Sequence, residues 1–127
     1  MLEKSVEQFF KNQVKQRCPD ALCLKFVSPG FAGVPDRIVL LPGGRVIFAE
    51  LKRPGKTPRK LQTYVHGLLR RLGFTVFACV DTKEKALEVV WYCEKMVQSY
   101  TMYKEYYTRL DAGLQRMLNE IGGGLER

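Results

Sequence analysis

The sequence has little histidine, no closely spaced cysteine pair and no long apolar run. Its one histidine, His66, is distant from all four cysteines, and no C-x-x-C pair occurs among Cys18, Cys23, Cys79 and Cys93. A structural zinc site needs several such ligands at short spacings, so we predict none and interpret the cysteines as small core residues in a reducing compartment. No stretch approaches the roughly 18 apolar residues that span a bilayer, which excludes a membrane protein.

The N-terminal residues MLEKSVE also lack the apolar core of a signal peptide, so we expect the protein in the cytoplasm. The composition is 46% hydrophobic and 27% charged, which is typical of a globular protein. A chain of 127 residues has the size of one domain. We therefore expect a single core and no second catalytic domain.

Acidic residues are absent from residues 51–80, which carry seven basic residues: Lys52, Arg53, Lys56, Arg59, Lys60, Arg70 and Arg71. The net charge of the chain is +8, so nearly all of the positive excess lies in this stretch. A concentrated positive charge favours a polyanionic partner such as nucleic acid. The alternative is a solvated basic helix face without a partner.

The pattern of apolar and turn residues predicts the element order α-β-β-β-α-β-α. The predicted segments are a helix over 3–16, strands over 22–27, 36–41, 45–52 and 74–80, a helix from 58 to about 72, and a terminal helix after Asp81. Thr57 and Pro58 predict where the second helix begins, with Gln62 on its second turn. A crossover helix implies that the fourth strand lies parallel to the third, which gives a mixed four-stranded sheet of the α/β class.

The terminal helix carries an apolar seam with a 3.5-residue period: Met96, Tyr100, Tyr103, Tyr107, Leu110, Leu114, Met117 and Ile121. Such a seam is longer than a small domain can cover, so we predict a C-terminal extension over 96–127 that forms a homodimer. Two alternatives remain open. The helix could break near Gly113 and fold back over its own sheet, or its tyrosines could stack on bases.

Two acids and a lysine are predicted to meet at one end of the sheet. Asp36 opens the second strand, while Glu50 and Lys52 lie two residues apart on one face of the third. These strands form a hairpin, so the three side chains converge away from its turn. Paired carboxylates without histidine or cysteine favour Mg²⁺ or Mn²⁺. Such an ion beside a lysine is typical of sites for metal-assisted phosphodiester hydrolysis. The alternative is a plain surface ion pair with Lys52.

The full string resembles the VRR-NUC family of the PD-(D/E)XK nuclease superfamily over about residues 1–95. The resemblance rests on P-D-x(13)-E-L-K and on FVSPG (26–30), GVPDR (33–37), ELKRPG (50–55), Gln62 and the Gly-Phe pair at 73–74. It implies a restriction-endonuclease-like core over 1–95. Stand-alone members of the family are small phage and prophage proteins, so the host cytoplasm is the expected location.

The resemblance also implies residue roles. Asp36 and Glu50 match the metal-binding acids, the Leu51 carbonyl would complete the metal ligands, and Lys52 matches the catalytic lysine. Gln62 matches a glutamine whose amide would contact water or phosphate. The superfamily carries a further glutamate on the first helix; we favour Glu3, with Glu7 as the alternative one turn later.

Our leading hypothesis is therefore a Mg²⁺- or Mn²⁺-dependent DNA endonuclease with no small-molecule cofactor. Basic residues directly after the catalytic lysine would hold flanking phosphates: Arg53, Lys56, Arg59 and Lys60. Because no recognition domain is left over, we expect selectivity for branched or four-way junction DNA and not for sequence. The alternatives are a non-catalytic nucleic-acid-binding module of a phage assembly and a phage structural protein built around the terminal helix.

Overall fold

A computed structural model describes residues 3–121, with side chains from Ser5 onward. Its elements are α1 (Glu3–Arg17), β1 (Leu22–Lys25), β2 (Arg37–Leu41), β3 (Arg45–Leu51), α2 (Lys60–Arg71), β4 (Thr75–Val80) and α3 (Lys83–Glu120). This is the predicted order, and most boundaries fall within two residues of the predicted ones. None of the helices within residues 3–121 has the length and apolarity needed to cross a bilayer.

The four strands form one mixed sheet in the order β1-β2-β3-β4. Strands β1, β2 and β3 pair antiparallel as successive hairpin partners, and β4 joins β3 in parallel after the α2 crossover. The register between β3 and β4 shifts after Ala49, which pairs with Phe77, because Leu51 pairs with Val80; β4 therefore has one extra residue opposite Glu50. The predicted mixed four-stranded sheet is confirmed, with the hairpin of β2 and β3 and the parallel pairing of β4; the sequence had made no prediction for the partner of β1.

The helices cover the two faces of the sheet. Along β3, Ile47, Ala49 and Leu51 belong to one buried cluster with residues of α1 and the first part of α3, including Phe10 and Val90. Successive strand residues point to opposite faces, so Glu50 points to the other face of β3. Helix α2 lies on that face, because its Gln62 contacts the Glu50 side chain.

Helix α2 begins at Lys60, two residues after the predicted start at Pro58. Arg59 is extended, with φ −69° and ψ 162°, and its backbone N–H donates to Gln62 Oε1 at 2.9 Å. A glutamine at the third helical position that reaches back in this way defines the helix start. The prediction was wrong because a side-chain contact, not the Thr-Pro pair, sets the first turn. Gln62 consequently lies in the first turn of α2 and not in the second.

The chain divides into two compact units, residues 1–97 and residues 98–127. The first unit contains the sheet, α1, α2 and the beginning of α3. In the second unit, α3 continues as unbroken helix to Glu120, so it has no break at Gly113. Most side chains of this part are exposed, and the rings of Tyr103 and Tyr107 lie 4.5 Å apart.

Candidate active site

The hairpin of β2 and β3 brings the two predicted acids together. Arg37 on β2 pairs with Ala49 on β3 at the end of the ladder away from the turn. Asp36 and Glu50, the next residue on each side, therefore lie opposite each other at that end. The Asp36 backbone N–H donates to Glu50 Oε1 at 3.1 Å, and the Leu51 backbone N–H donates to Asp36 Oδ1 at 3.0 Å. Each carboxylate is therefore held by the strand that carries the other one.

Glu50 is almost fully buried, at 3% exposure, and its carboxylate accepts bonds from three sides. Besides the Asp36 N–H, Glu50 Oε2 accepts from Gln62 Nε2 at 3.2 Å and forms an ion pair with Lys52 Nζ at 3.2 Å. An isolated buried carboxylate costs several kcal/mol, and these donors offset that cost. The Glu50 carboxylate is thus fixed in place.

Lys52 lies where the sheet opens toward solvent. Its side chain is 18% exposed, and its backbone N–H donates to Val80 O at 3.0 Å, which extends the pairing of β3 and β4. Residues 50 and 52 share a strand face, as the sequence predicted. The ammonium group is therefore both paired with a carboxylate and partly open to an approaching molecule.

Gln62 links Glu50 to α2. Its Oε1 accepts the Arg59 N–H while its Nε2 donates to Glu50, so both ends of the amide have protein partners. Gln62 is 7% exposed. In this arrangement it orients Glu50, and a contact with water or phosphate stays a prediction.

The two glutamates proposed on the first helix differ in what the structure describes. Glu7 forms an ion pair with Arg37, whose side chain is nearly buried. The Glu3 backbone opens α1, but its side chain lies outside the described residues. Glu7 is therefore paired with Arg37, and the role of Glu3 in the active site stays a prediction.

The basic residues predicted to hold phosphates lie on the segment that follows β3 and ends with Lys60, the first residue of α2. All four are exposed: Arg53, Lys56, Arg59 and Lys60. The Lys56 backbone N–H donates to Arg53 O at 3.0 Å, and Cys79 Sγ donates to Lys56 O at 3.3 Å. The segment therefore begins beside Lys52 and is tied to β4.

Two residues in the quoted motif received no role from the sequence. Arg37 alternates with Val39 and Leu41 on the buried side of β2, and that alternation was the available signal that its charge needs a partner. Gly33 has a φ of +95°, and a Cβ there would lie 2.9 Å from Val65 Cγ2 and 3.0 Å from the Leu61 carbonyl oxygen. Glycine at this position lets the loop before Asp36 lie directly on α2.

His66 lies one turn after Gln62 and is buried at 1% exposure. Neither ring nitrogen has a hydrogen-bond partner within the described part of the chain. Burial, followed by the positive charges of Arg70 and Lys52, lowers its pKa below the usual value of 6.5. The imidazole of His66 is therefore packed inside the domain, on the same buried face of α2 as Gln62 and Val65.

The donor set at this site fits a hard divalent ion. Residues 3–121 contain no group of three or more His, Cys, Asp or Glu side chains that could hold a metal. Two carboxylates, Asp36 and Glu50, nevertheless meet there through mutual backbone bonds. Mg²⁺ commonly binds one or two carboxylates and fills its other positions with waters and phosphate oxygens. The residues present therefore suit Mg²⁺ or Mn²⁺.

Comparison with known proteins agrees with this architecture, although no family model matches the sequence. The chain is 43% identical over 74 residues to a protein named "Putative nuclease p44" from Acyrthosiphon pisum secondary endosymbiont phage 1, covering 58% of this chain and 77% of that protein. It is also similar to a solved VRR_NUC domain, with a TM-score of 0.63 and 25% identity, covering 71% of this chain and 96% of that one. With its mixed four-stranded sheet and restriction-endonuclease-like core, the chain belongs to the VRR-NUC family of nucleases.

Proposed function

We propose that the protein is a Mg²⁺- or Mn²⁺-dependent DNA endonuclease. The observation that carries this proposal is the meeting of Asp36, Glu50 and Lys52 at one end of the sheet, with an exposed basic segment directly after them. Because residues 51–80 contain no acid, nothing on that segment opposes a phosphate backbone. The family membership supports a nuclease reaction at this site.

The carboxylates of Asp36 and Glu50, together with the Leu51 carbonyl, would hold the metal ion. When bound, such an ion supplies Lewis-acid polarisation of the scissile phosphate. The two acids need little rearrangement to do this, because backbone N–H groups of the opposite strand already orient them. Preorganised ligands of this kind are a general requirement of efficient sites.

Lys52 would donate hydrogen bonds to the attacking water and to a non-bridging phosphate oxygen. Its pairing with Glu50 fixes the ammonium, while its partial exposure leaves room for those contacts. Hydrolysis forms a bond between the water oxygen and phosphorus and breaks the bond to the 3′ oxygen, which takes up a proton. A 5′-phosphate and a 3′-hydroxyl result. Gln62 acts on this step through Glu50 and is a positioning residue.

The DNA substrate is proposed to be recognised by structure. Arg53, Lys56, Arg59 and Lys60 would contact phosphates, and such contacts position DNA without reading its sequence. A homodimer through the seam of α3 would place two active sites on one branched molecule, as cutting both strands of a junction requires. The exposure of Leu110, Leu114 and Met117 supports this use of the seam.

Cleavage of an end-labelled DNA panel tests the proposal directly. The panel contains duplex, flap, nicked and four-way junction DNA, each incubated with Mg²⁺, Mn²⁺, Ca²⁺ or EDTA. We expect cleavage with Mg²⁺ or Mn²⁺, strongest on branched DNA, and none in EDTA. Asp36→Asn and Lys52→Met should abolish cleavage, whereas Asp111→Asn and Lys104→Met on exposed parts of α3 should not. Undiminished cleavage by Asp36→Asn or in EDTA would refute the mechanism.

Glu50→Gln separates the enzyme from the alternative of a non-catalytic binding module. Neutralising Glu50 removes an acid near the phosphates, so binding should be retained or tightened under either reading. Only an enzyme loses cleavage at the same time. DNA binding without cleavage by the unmodified protein under every metal condition would favour the binding module.

Sedimentation of the full chain tests the proposed dimer. Leu110→Glu puts a charge in the seam, whereas Ala112→Glu puts the same charge on the opposite side of the helix, because two residues turn an α-helix by about 200°. We expect Leu110→Glu to yield monomers and Ala112→Glu to remain dimeric. Equal behaviour of the two variants would show that the seam is not the interface.

A further inference from the structure

The outer face of α2 begins at Lys60, which belongs to the basic segment, and continues with Tyr64, Gly67 and Arg71, which the proposed site does not use. The inner face buries Gln62, Val65 and His66. At 100° per residue, the opposite face consists of residues at 4-3-4 spacing: Lys60, Tyr64, Gly67 and Arg71. Lys60 and Arg71 are exposed, Tyr64 is 59% exposed, and Gly67 between them is partly exposed.

Gly67 stands in the interior of α2, where glycine is disfavoured. Relative to alanine, an interior helix glycine lowers the folding equilibrium roughly two- to fivefold. A Cβ at Gly67 would meet no atom within 4 Å, unlike a Cβ at Gly33, which would press on Val65 and Leu61. Packing within the described chain therefore offers no reason for a glycine at 67. What the missing side chain does provide is a low point on an outward surface.

The groups around this low point suit a phosphate backbone. Lys60 and Arg71 stand at its two ends, and Tyr64 carries a hydroxyl between them; lysine, arginine and tyrosine are common phosphate ligands. Eleven residues of helix span about 16 Å, the axial rise of about five base pairs. Leu61 and Leu72 are exposed on one flank, which is the feature that would favour a protein partner instead. The basic ends and the absence of acids over 51–80 favour DNA.

We propose that the outer face of α2 lies directly against the sugar–phosphate backbone of the DNA substrate, with Gly67 at the point of closest approach. This inference rests on the proposed DNA-binding function. It extends the contact with DNA from the basic segment, which ends at Lys60, along α2 to Arg71. The phosphates it holds lie away from the bond that is cut, so this face governs affinity and not the chemical step.

A glycine series with a matched control tests the close approach. Gly113 is likewise an interior helix glycine whose Cβ would have room, with Arg116 Nη2 at 3.8 Å as its nearest neighbour. The variants are Gly67→Ala, Gly67→Leu, Gly113→Ala and Gly113→Leu. We expect both alanine variants to raise the Tm by a few degrees, because each removes a helix glycine. Only the Gly67 variants should weaken DNA binding, Leu more than Ala, with cleavage at saturating DNA unchanged.

The opposite signs for stability and affinity make the result readable, since Gly67→Ala is expected to fold at least as well as the unmodified chain. Arg71→Gln, compared with Arg109→Gln on α3, provides a second readout. Loss of the Arg71 charge should lower the magnitude of the slope of log K against log salt concentration by about one, which is the value for one phosphate contact. Arg109→Gln should leave the slope unchanged.

Three results would overturn the inference. The first is unchanged affinity of Gly67→Leu, and the second is an equal loss in Gly113→Leu. The third is a change in sedimentation of Gly67→Leu without a change in DNA affinity, which would assign the face to a protein partner. If Arg59→Gln lowers the salt slope while the α2 variants do not, this inference fails and the proposed function stands. If the unmodified protein binds no DNA, the proposed function itself fails.

Discussion

Protonation of His66 should make the folded protein lose stability in mildly acidic solution. Its ring is 1% exposed and its nitrogens lack partners among the described residues, and burial and the nearby charges of Arg70 and Lys52 lower its pKa. Below pH 6.5 the unfolded chain takes up a proton that the folded chain resists. Stability is therefore full above that pH and falls as the pH decreases through it.

The size of the effect follows from linkage. The free energy of unfolding should fall with a limiting slope of about 1.4 kcal/mol per pH unit. Between pH 7.0 and 5.5 the loss reaches at most about 1.3 kcal/mol, the value for a ring that stays neutral throughout in the folded state. His66 is the only histidine of the chain, so no second imidazole contributes in this range.

Urea unfolding at closely spaced pH values measures this loss, with His66→Phe as the comparison. Phenylalanine fills a similar space and cannot take up a proton, so the variant should lose most of the pH dependence between 7.0 and 5.5, whatever its absolute stability. The reasoning is refuted if the unmodified protein shows constant stability over this range. A drop of the same size in His66→Phe would refute it equally.

Three further predictions concern the loop before Asp36, the first helix and the metal. Gly33→Ala should lower the free energy of unfolding by about 2–5 kcal/mol, because the backbone there is left-handed and the new Cβ would press on α2. Gly30→Ala should lower it by only about 1–2 kcal/mol, because Gly30 also has a positive φ, +79°, but free space around it. Equal losses in the two variants would contradict the close packing of Gly33. Glu7→Gln should lower the free energy of unfolding by about 1–3 kcal/mol, because Arg37 loses its counter-charge. Glu3→Gln should reduce cleavage without loss of stability. If Glu7→Gln reduces cleavage and Glu3→Gln reduces stability, the two glutamates have the opposite roles. Mg²⁺ or Mn²⁺ should raise the Tm in the unmodified protein but not in Asp36→Asn, and an equal shift in both would place the ion elsewhere.

The fold and the centre of the site were predictable from the sequence because they depend on residues close together along the chain. Strand alternation and turn residues predicted the hairpin of β2 and β3, and a hairpin necessarily brings its two open ends together. That places Asp36 beside Glu50, fourteen residues away, and the period of two places Lys52 on the same face. The apolar β4 after a crossover helix predicted the parallel pairing in the same way.

The positions that the sequence did not predict depend on contacts between separate elements. The first turn of α2 forms where Gln62 reaches both Arg59 and Glu50, and the Thr57–Pro58 pair cannot report a contact with β3. The partner of Arg37 is Glu7 on α1, and this pair forms only when α1 packs on the sheet. His66 is buried or solvated according to how α2 packs on the sheet.

By itself, therefore, the sequence determined the order of the elements, the pairing of β3 with β2 and with β4, and the position of two acids and a lysine at one sheet end. Tertiary structure alone decided where α2 begins, which glutamate Arg37 engages, and which helix face remains outward with Gly67 on it. The physical reason is range: periodicity and turn chemistry act over a few residues. Burial and side-chain pairing are settled only when distant segments pack.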